Sequence, residues 1–131
     1  MQAVTLQTGG ENHGHYVAGM IAGGMLYISG QLSLDPDTRE VAQGGIREHM
    51  RQALSNVDAV LRAAGLTRED VVQCRVYIAG IGGWDEANDE YRRFLGDHKP
   101  ARIIVSTQEL HFGCLVEIEA VAECTQKGAE R

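Results

Sequence analysis

The 131-residue chain has only two prolines, Pro36 and Pro100, one tryptophan, four tyrosines and two phenylalanines. It also lacks a basic excess: the formal net charge is -6. An acidic chain with few aromatics gives a general nucleic-acid surface, or an acidic membrane surface, little footing. No apolar run approaches the roughly 20 residues that span a bilayer. The start, Met1-Gln2-Ala3-Val4-Thr5, lacks the basic end and apolar centre of a signal peptide, so a cytoplasmic location is expected. The three cysteines, Cys74, Cys114 and Cys124, are odd in number and have no CxxC spacing. They read as reduced, partly buried thiols, not as a disulfide framework or a zinc site. His13, His15, His49, His98 and His111 are scattered, and no metal site is expected. Gly9-Gly10 and Gly80–Gly83 are not followed by the helix and lysine of a phosphate-binding loop. Ser29 has no His/Asp pattern that would make it a nucleophile.

What is present is ordinary for a globular protein: 44% hydrophobic and 23% charged residues, in a length that suits one domain over residues 1–131. Val4 and Leu6 alternate with polar residues and predict a short first strand. A polar, glycine-rich loop follows, up to Tyr16. Tyr16–Ala22 and Met25–Ser29, joined by Gly23-Gly24, predict a hairpin. Gly30 within the continuing strand marks a bulge or a close backbone approach, and Asp35-Pro36-Asp37-Thr38 is a turn.

From Gly45 to Ala64 apolar residues recur at three and four, predicting a long amphipathic helix stopped by Gly65. After the polar turn Thr67–Asp70, Val71–Ala79 reads as a strand and Trp84–Leu95 as a second helix, ended by His98-Lys99-Pro100. Ala101–Ser106 and Cys114–Glu123 are the last strands, and Thr125–Arg131 a frayed polar tail. The order β-β-β-α-β-α-β-β implies an α+β sheet with both helices on one face. The open face would then need covering, most simply by a symmetric oligomer.

Chemistry concentrates in Pro100–Ala122. If the last two strands are antiparallel neighbours, Arg102 and Glu117 approach one another. A guanidinium grips a carboxylate bidentately, and a glutamate handles a proton or a water. Glu117 and Glu119 share one strand face. Read blandly, Arg102 is an ion-pair partner, Tyr16 an aromatic sealing an edge, Ser29 a strand-end hydroxyl satisfying backbone groups, and Asn88 a helix-to-loop hydrogen bond.

Tyr16, Ser29-Gly30-Gln31, Asn56-Val57, Ala63–Leu66, Asn88–Tyr91, Pro100-Ala101-Arg102 and Gly113–Ala120, in this order and spacing, resemble the reactive intermediate deaminase (Rid/YjgF, formerly L-PSP endoribonuclease) family. The resemblance implies a chorismate-mutase-like α+β fold and a homotrimer with sites in the clefts between subunits. It further implies cofactor-free hydrolysis of enamines and imines such as 2-aminoacrylate and 2-iminopropanoate to 2-oxo acids and ammonia. By that resemblance Arg102 binds the substrate carboxylate, Glu117 positions water, Tyr16 and Ser29 line the pocket, and Gly30 and Asn88 contribute to it. Three departures bear on substrate preference. Gly14-His15-Tyr16 stands where the family has Gly-Pro-Tyr, and His111-Phe112 where it has Pro-Lys. Ile104 stands where many members carry cysteine, so a chlorination-type switch is not expected there. The alternatives are a trimer that binds a small carboxylate without turnover and, with less footing, an endoribonuclease.

Overall fold

Two consecutive glycines set the first corner of the sheet. Gly23 (φ 59°) and Gly24 (φ 77°) both adopt positive φ, the geometry of the tight turn whose twist matches antiparallel strands. In the computed structural model, which describes residues 1–8 and 14–124, they join β2 (Gly19–Ala22) to β3 (Met25–Leu32). The other elements are β1 (Gln2–Val4), α1 (Ile46–Ala63), β4 (Val71–Ala79), α2 (Trp84–Leu95), β5 (Ala101–Thr107) and β6 (Val116–Glu123), in the expected order. Several ends differ. β2 begins at Gly19, so Tyr16 stays in the preceding loop, and Leu6 and Cys114 fall outside their strands. α2 stops at Gly96, which takes φ 64°, so a glycine and not the approach to Pro100 ends it. The tail from Thr125 lies outside the described residues.

The sheet has six strands in the order β1-β2-β3-β6-β4-β5. This corrects the expectation that β5 and β6 are antiparallel neighbours. β4 lies between them, parallel to β5 (Cys74 opposite Arg102) and antiparallel to β6 (Tyr77 opposite Glu117). The cause is α2: a helix between two strands makes a crossover, and a crossover delivers a parallel strand. β6 then enters the gap between β3 and β4. Its inward residues Val116, Ile118, Ala120 and Ala122 are all buried, which suits a central strand. β5 exposes Ala101, Ile103 and Val105 and takes the edge.

Both helices cover one face. Met50, Ala53, Leu54, Val57, Val60 and Leu61 of α1, with Ala87, Tyr91 and Leu95 of α2, pack on Leu26, Ile28, Val76, Ile78 and Ile118. Between the helices the carboxylate of buried Glu90 accepts from Arg51 at 2.8 and 3.1 Å and from Arg47 at 3.2 Å. The other sheet face carries Glu117, Glu119 and Val121 of β6. It leaves Tyr27 50% and Ile103 46% exposed, an apolar surface that no described helix covers. Among the described residues no helix is long and apolar enough to cross a membrane.

One buried polar knot joins β3, α1 and the entry to β6. His49 Nδ1 lies 2.6 Å from Ser33 Oγ and accepts the Leu115 N–H at 3.2 Å. Because a backbone N–H only donates, Nδ1 carries its lone pair and the Ser33 hydroxyl donates to it. Burial holds the His49 pKa below its ordinary value of 6.5, against an opposing backbone hydrogen bond at Ala42. The unfolded chain therefore binds this proton first, and the knot's contribution is complete above pH 6.5 and declines as pH falls below it. The urea midpoint is expected to drop over that interval in wild type and to drop less in His49→Gln, whose amide oxygen accepts without titrating. The same pH slope in both proteins would refute the assignment.

Candidate functional site

The residues singled out in the sequence form two groups, one on each side of the sheet. Arg102 stands opposite Cys74, a core residue, so it points to the helix side. Its Nη1 donates to Asn88 Oδ1 at 2.7 Å. The guanidinium carbon lies 5.0 Å from the Tyr91 ring centroid and 5.5 Å from that of Trp84. Trp84, Asn88 and Tyr91 recur along one side of α2 and make an aromatic platform with a single acceptor, which holds the planar cation on an edge strand. No described carboxylate pairs with Arg102. Burial pushes both the Cys74 thiol and the Tyr91 phenol up, so both stay neutral beside it.

Glu117 lies on the open face. At the β3 bulge between Ile28 and Gln31, Gly30 has no side chain where a Cβ would stand 2.6 Å from Glu117 Oε2. A side chain at this position would push the Glu117 carboxylate aside. Burial, and next the like charge of Glu119, raise the Glu117 pKa above 4.5, with His111 pulling the other way. Glu119 is itself engaged: Tyr77 donates its hydroxyl to Oε1 at 2.8 Å, and Arg75 lies 3.8 Å away. Ser29 Oγ donates to the Val17 carbonyl at 2.6 Å, and the Ser29 N–H to the Ala18 carbonyl at 2.9 Å. These bonds pin the loop that carries Tyr16, which is 52% exposed. Tyr16 and Gly30 line one cavity of about 290 Å³. His111 and Phe112 stack at 3.7 Å just before β6.

The structure thus joins Tyr16, Ser29, Gly30 and Glu117 in one group and Arg102 with Asn88 in another. It does not bring Arg102 and Glu117 together within one chain, because β4 intervenes and their side chains leave opposite faces. Sequence reasoning missed the platform. Trp84 and Tyr91 fall on the apolar face of the second helix, and only the spacing of Asn88 between them signals a stripe shared with Arg102. It also missed Arg39, which lines the cavity with Tyr16. Among the described residues no three His, Cys, Asp or Glu side chains form a metal-holding group.

The model of the family described as endoribonuclease L-PSP matches residues 10–124. The RutC family protein PH0854 of Pyrococcus horikoshii is 38% identical over 83% of this chain and 86% of its own length. The 2-iminobutanoate/2-iminopropanoate deaminase of Bos taurus is 37% identical over 83% of this chain and 80% of its own. Among solved structures, E. coli TdcF with bound serine superposes with a TM-score of 0.86 at 30% identity, over 94% of this chain and 98% of that one.

Proposed function

This chain belongs to the endoribonuclease L-PSP family, the Rid/YjgF proteins, and from that membership we propose that it is an imine deaminase working between copies of itself. The observation that carries the reading is the division of the candidate site. A cation that no described carboxylate pairs sits at one sheet edge, and a half-buried carboxyl of raised proton affinity sits on an apolar face that no described helix covers. A homotrimer that covers this face sets Arg102 of one copy against Glu117 of the next, with Tyr27, Ile103 and Val105 in the buried seam. The name borne by the bovine relative supports the chemistry, and the serine held by TdcF supports a pocket for a small amino-acid-like carboxylate.

In this reading Arg102, steadied by Asn88, Trp84 and Tyr91, binds the carboxylate of a 2-imino acid. Ionised Glu117 takes a proton from a water as the water oxygen bonds to C2 of the protonated imine, and the C=N π pair moves to nitrogen, which becomes a neutral NH2 group. Glu117 then returns the proton to nitrogen. The C–N bond breaks as the C–O π bond forms and the hydroxyl proton is released, giving a 2-oxo acid and ammonia. An enamine enters after protonation at carbon gives the imine. The reaction calls for no cofactor, and the chain is assigned to the cytoplasm.

The test is competition for a trapped imine. An amino-acid oxidase generates a short aliphatic imine, semicarbazide captures it, and wild-type protein lowers semicarbazone formation. Arg102→Ala weakens that effect by at least about a hundredfold, as expected for the loss of a bidentate charge-assisted contact. Undiminished trapping with every imine tried would refute turnover and leave the second reading, which the serine-bound relative favours: a trimer that holds a small carboxylate without reacting with it.

A further inference from the structure

Arg39 is the least expected residue around the cavity. It is one of two described non-glycine residues at positive φ, with φ 65°. The reason is local: its N–H bonds the Asp35 carbonyl at 2.9 Å, and the Asp35 N–H bonds the Glu40 carbonyl at 2.9 Å. This closes a tight loop whose corner must be left-handed. The Asp35 carboxylate is occupied at that corner, accepting the Asp37 and Thr38 N–H groups at 2.8 and 3.0 Å. Glycine occupies such a corner without strain, whereas arginine is strained there. Strain of this kind points to what the side chain reaches. The Arg39 guanidinium has no carboxylate partner among the described residues. Arg39 is exposed and lines the 290 Å³ cavity, so it stands at the cavity's mouth.

The cavity is connected to the chemistry through Gly30, which lines it and also abuts Glu117. Leu6, Val17, Leu32, Leu34 and Ala59 give it a mostly apolar wall. A methyl side chain such as that of 2-iminopropanoate leaves most of this volume empty. A short methylene chain suits the wall, and a chain that ends in an anion suits the mouth, where it meets a cation that no described carboxylate pairs. Resting on the deaminase reading above, we infer that Arg39 is a specificity-determining residue that binds a second, distal carboxylate, and that the preferred substrates are short dicarboxylic 2-imino acids.

The experiment compares imines generated oxidatively from glutamate and from alanine, in wild type and in Arg39→Gly. Glycine adopts φ 65° freely, so this variant keeps the fold, and a thermal midpoint no lower than wild type verifies it. Wild type is expected to show a higher kcat/KM for the dicarboxylic imine. Arg39→Gly should lower the ratio of the two kcat/KM values by about ten- to a hundredfold, the effect of one charge-assisted contact. A ratio that Arg39→Gly leaves unmoved would overturn the inference. Calorimetry with the stable products separates this result from failure of the deaminase reading. If neither imine is turned over, that reading falls. The assignment of Arg39 then stands only if 2-oxoglutarate binds wild type about tenfold or more tighter than pyruvate and Arg39→Gly erases the difference. Equal affinities, or no binding of either acid, would overturn it.

Discussion

Arg102→Ala subunits and Glu117→Gln subunits, each inactive alone, are expected to recover about a quarter of wild-type activity when co-assembled in equal amounts. The expectation follows from the sheet. Arg102 lies against α2 on one face and Glu117 on the other, with β4 between them, so under the proposed function a complete site draws on two copies. In a ring of randomly mixed subunits, a site works when its arginine comes from a Glu117→Gln copy and its glutamate from an Arg102→Ala copy. Each condition holds half the time, which gives about one site in four. Co-expression in equal amounts, followed by the trapping assay on the unselected assemblies, measures it; two affinity tags then isolate the mixed rings, in which about one site in three is expected to work. If each site instead lay within one chain, every site would lack one residue, and mixing would restore nothing.

Glu117→Gln on its own should lose about 10²- to 10⁴-fold in kcat, the range for a removed general base, and yet be more stable than wild type at neutral pH. The Glu117 pKa is raised above 4.5 chiefly by burial and then by Glu119. The folded state therefore holds this proton more tightly than the unfolded chain does. Ionising Glu117 costs folding stability, a cost that sets in as pH rises from 4.5 through the raised pKa and is complete above it. Glutamine carries no charge, so its stability advantage appears at pH 7 and disappears below pH 4.5, where the wild-type carboxyl is protonated in both states. The same argument gives the kcat/KM profile of wild type an acid limb above the ordinary carboxylate range, which Glu119→Gln moves to lower pH. Denaturant melts of both proteins across pH, with kinetics on the same samples, decide it. A Glu117→Gln protein as unstable as wild type at pH 7, or more so, would show that the carboxylate is not a strained catalytic charge.

Much of this architecture was legible in the residues. The bounds of β4 and α2 were read as they stand, because a β-branched run and an apolar stripe have different periods and each is punctuated by glycine. The Gly30 bulge was legible for the same reason. The neighbour relations of the last strands were not. Ala101–Ser106 and Cys114–Glu123 look like a hairpin along the chain, and only the helix between β4 and β5 shows that β5 is already committed to β4. Tyr16 closes the early loop as expected, but the strand that the pattern begins at Tyr16 begins at Gly19: the Val17 carbonyl is taken by the Ser29 hydroxyl, which the pattern does not encode. Arg102 and Glu117 stand out in the last two strands, and the family resemblance implies their roles. That they face opposite ways rests on register, and register emerges only when strands pair.

The central position of β6 also governs how the molecule is made. Until residues 116–123 leave the ribosome, the nascent chain holds two unjoined pieces, β1-β2-β3 and β4-β5, whose facing edges on β3 and β4 are unpaired. Such edges are templates for other chains, and pairing the first third of a protein with its last strand is slow. The strand that carries Glu117 is therefore also the one that ends this vulnerable interval, and a premature stop before Val116 yields an aggregating fragment instead of a smaller domain.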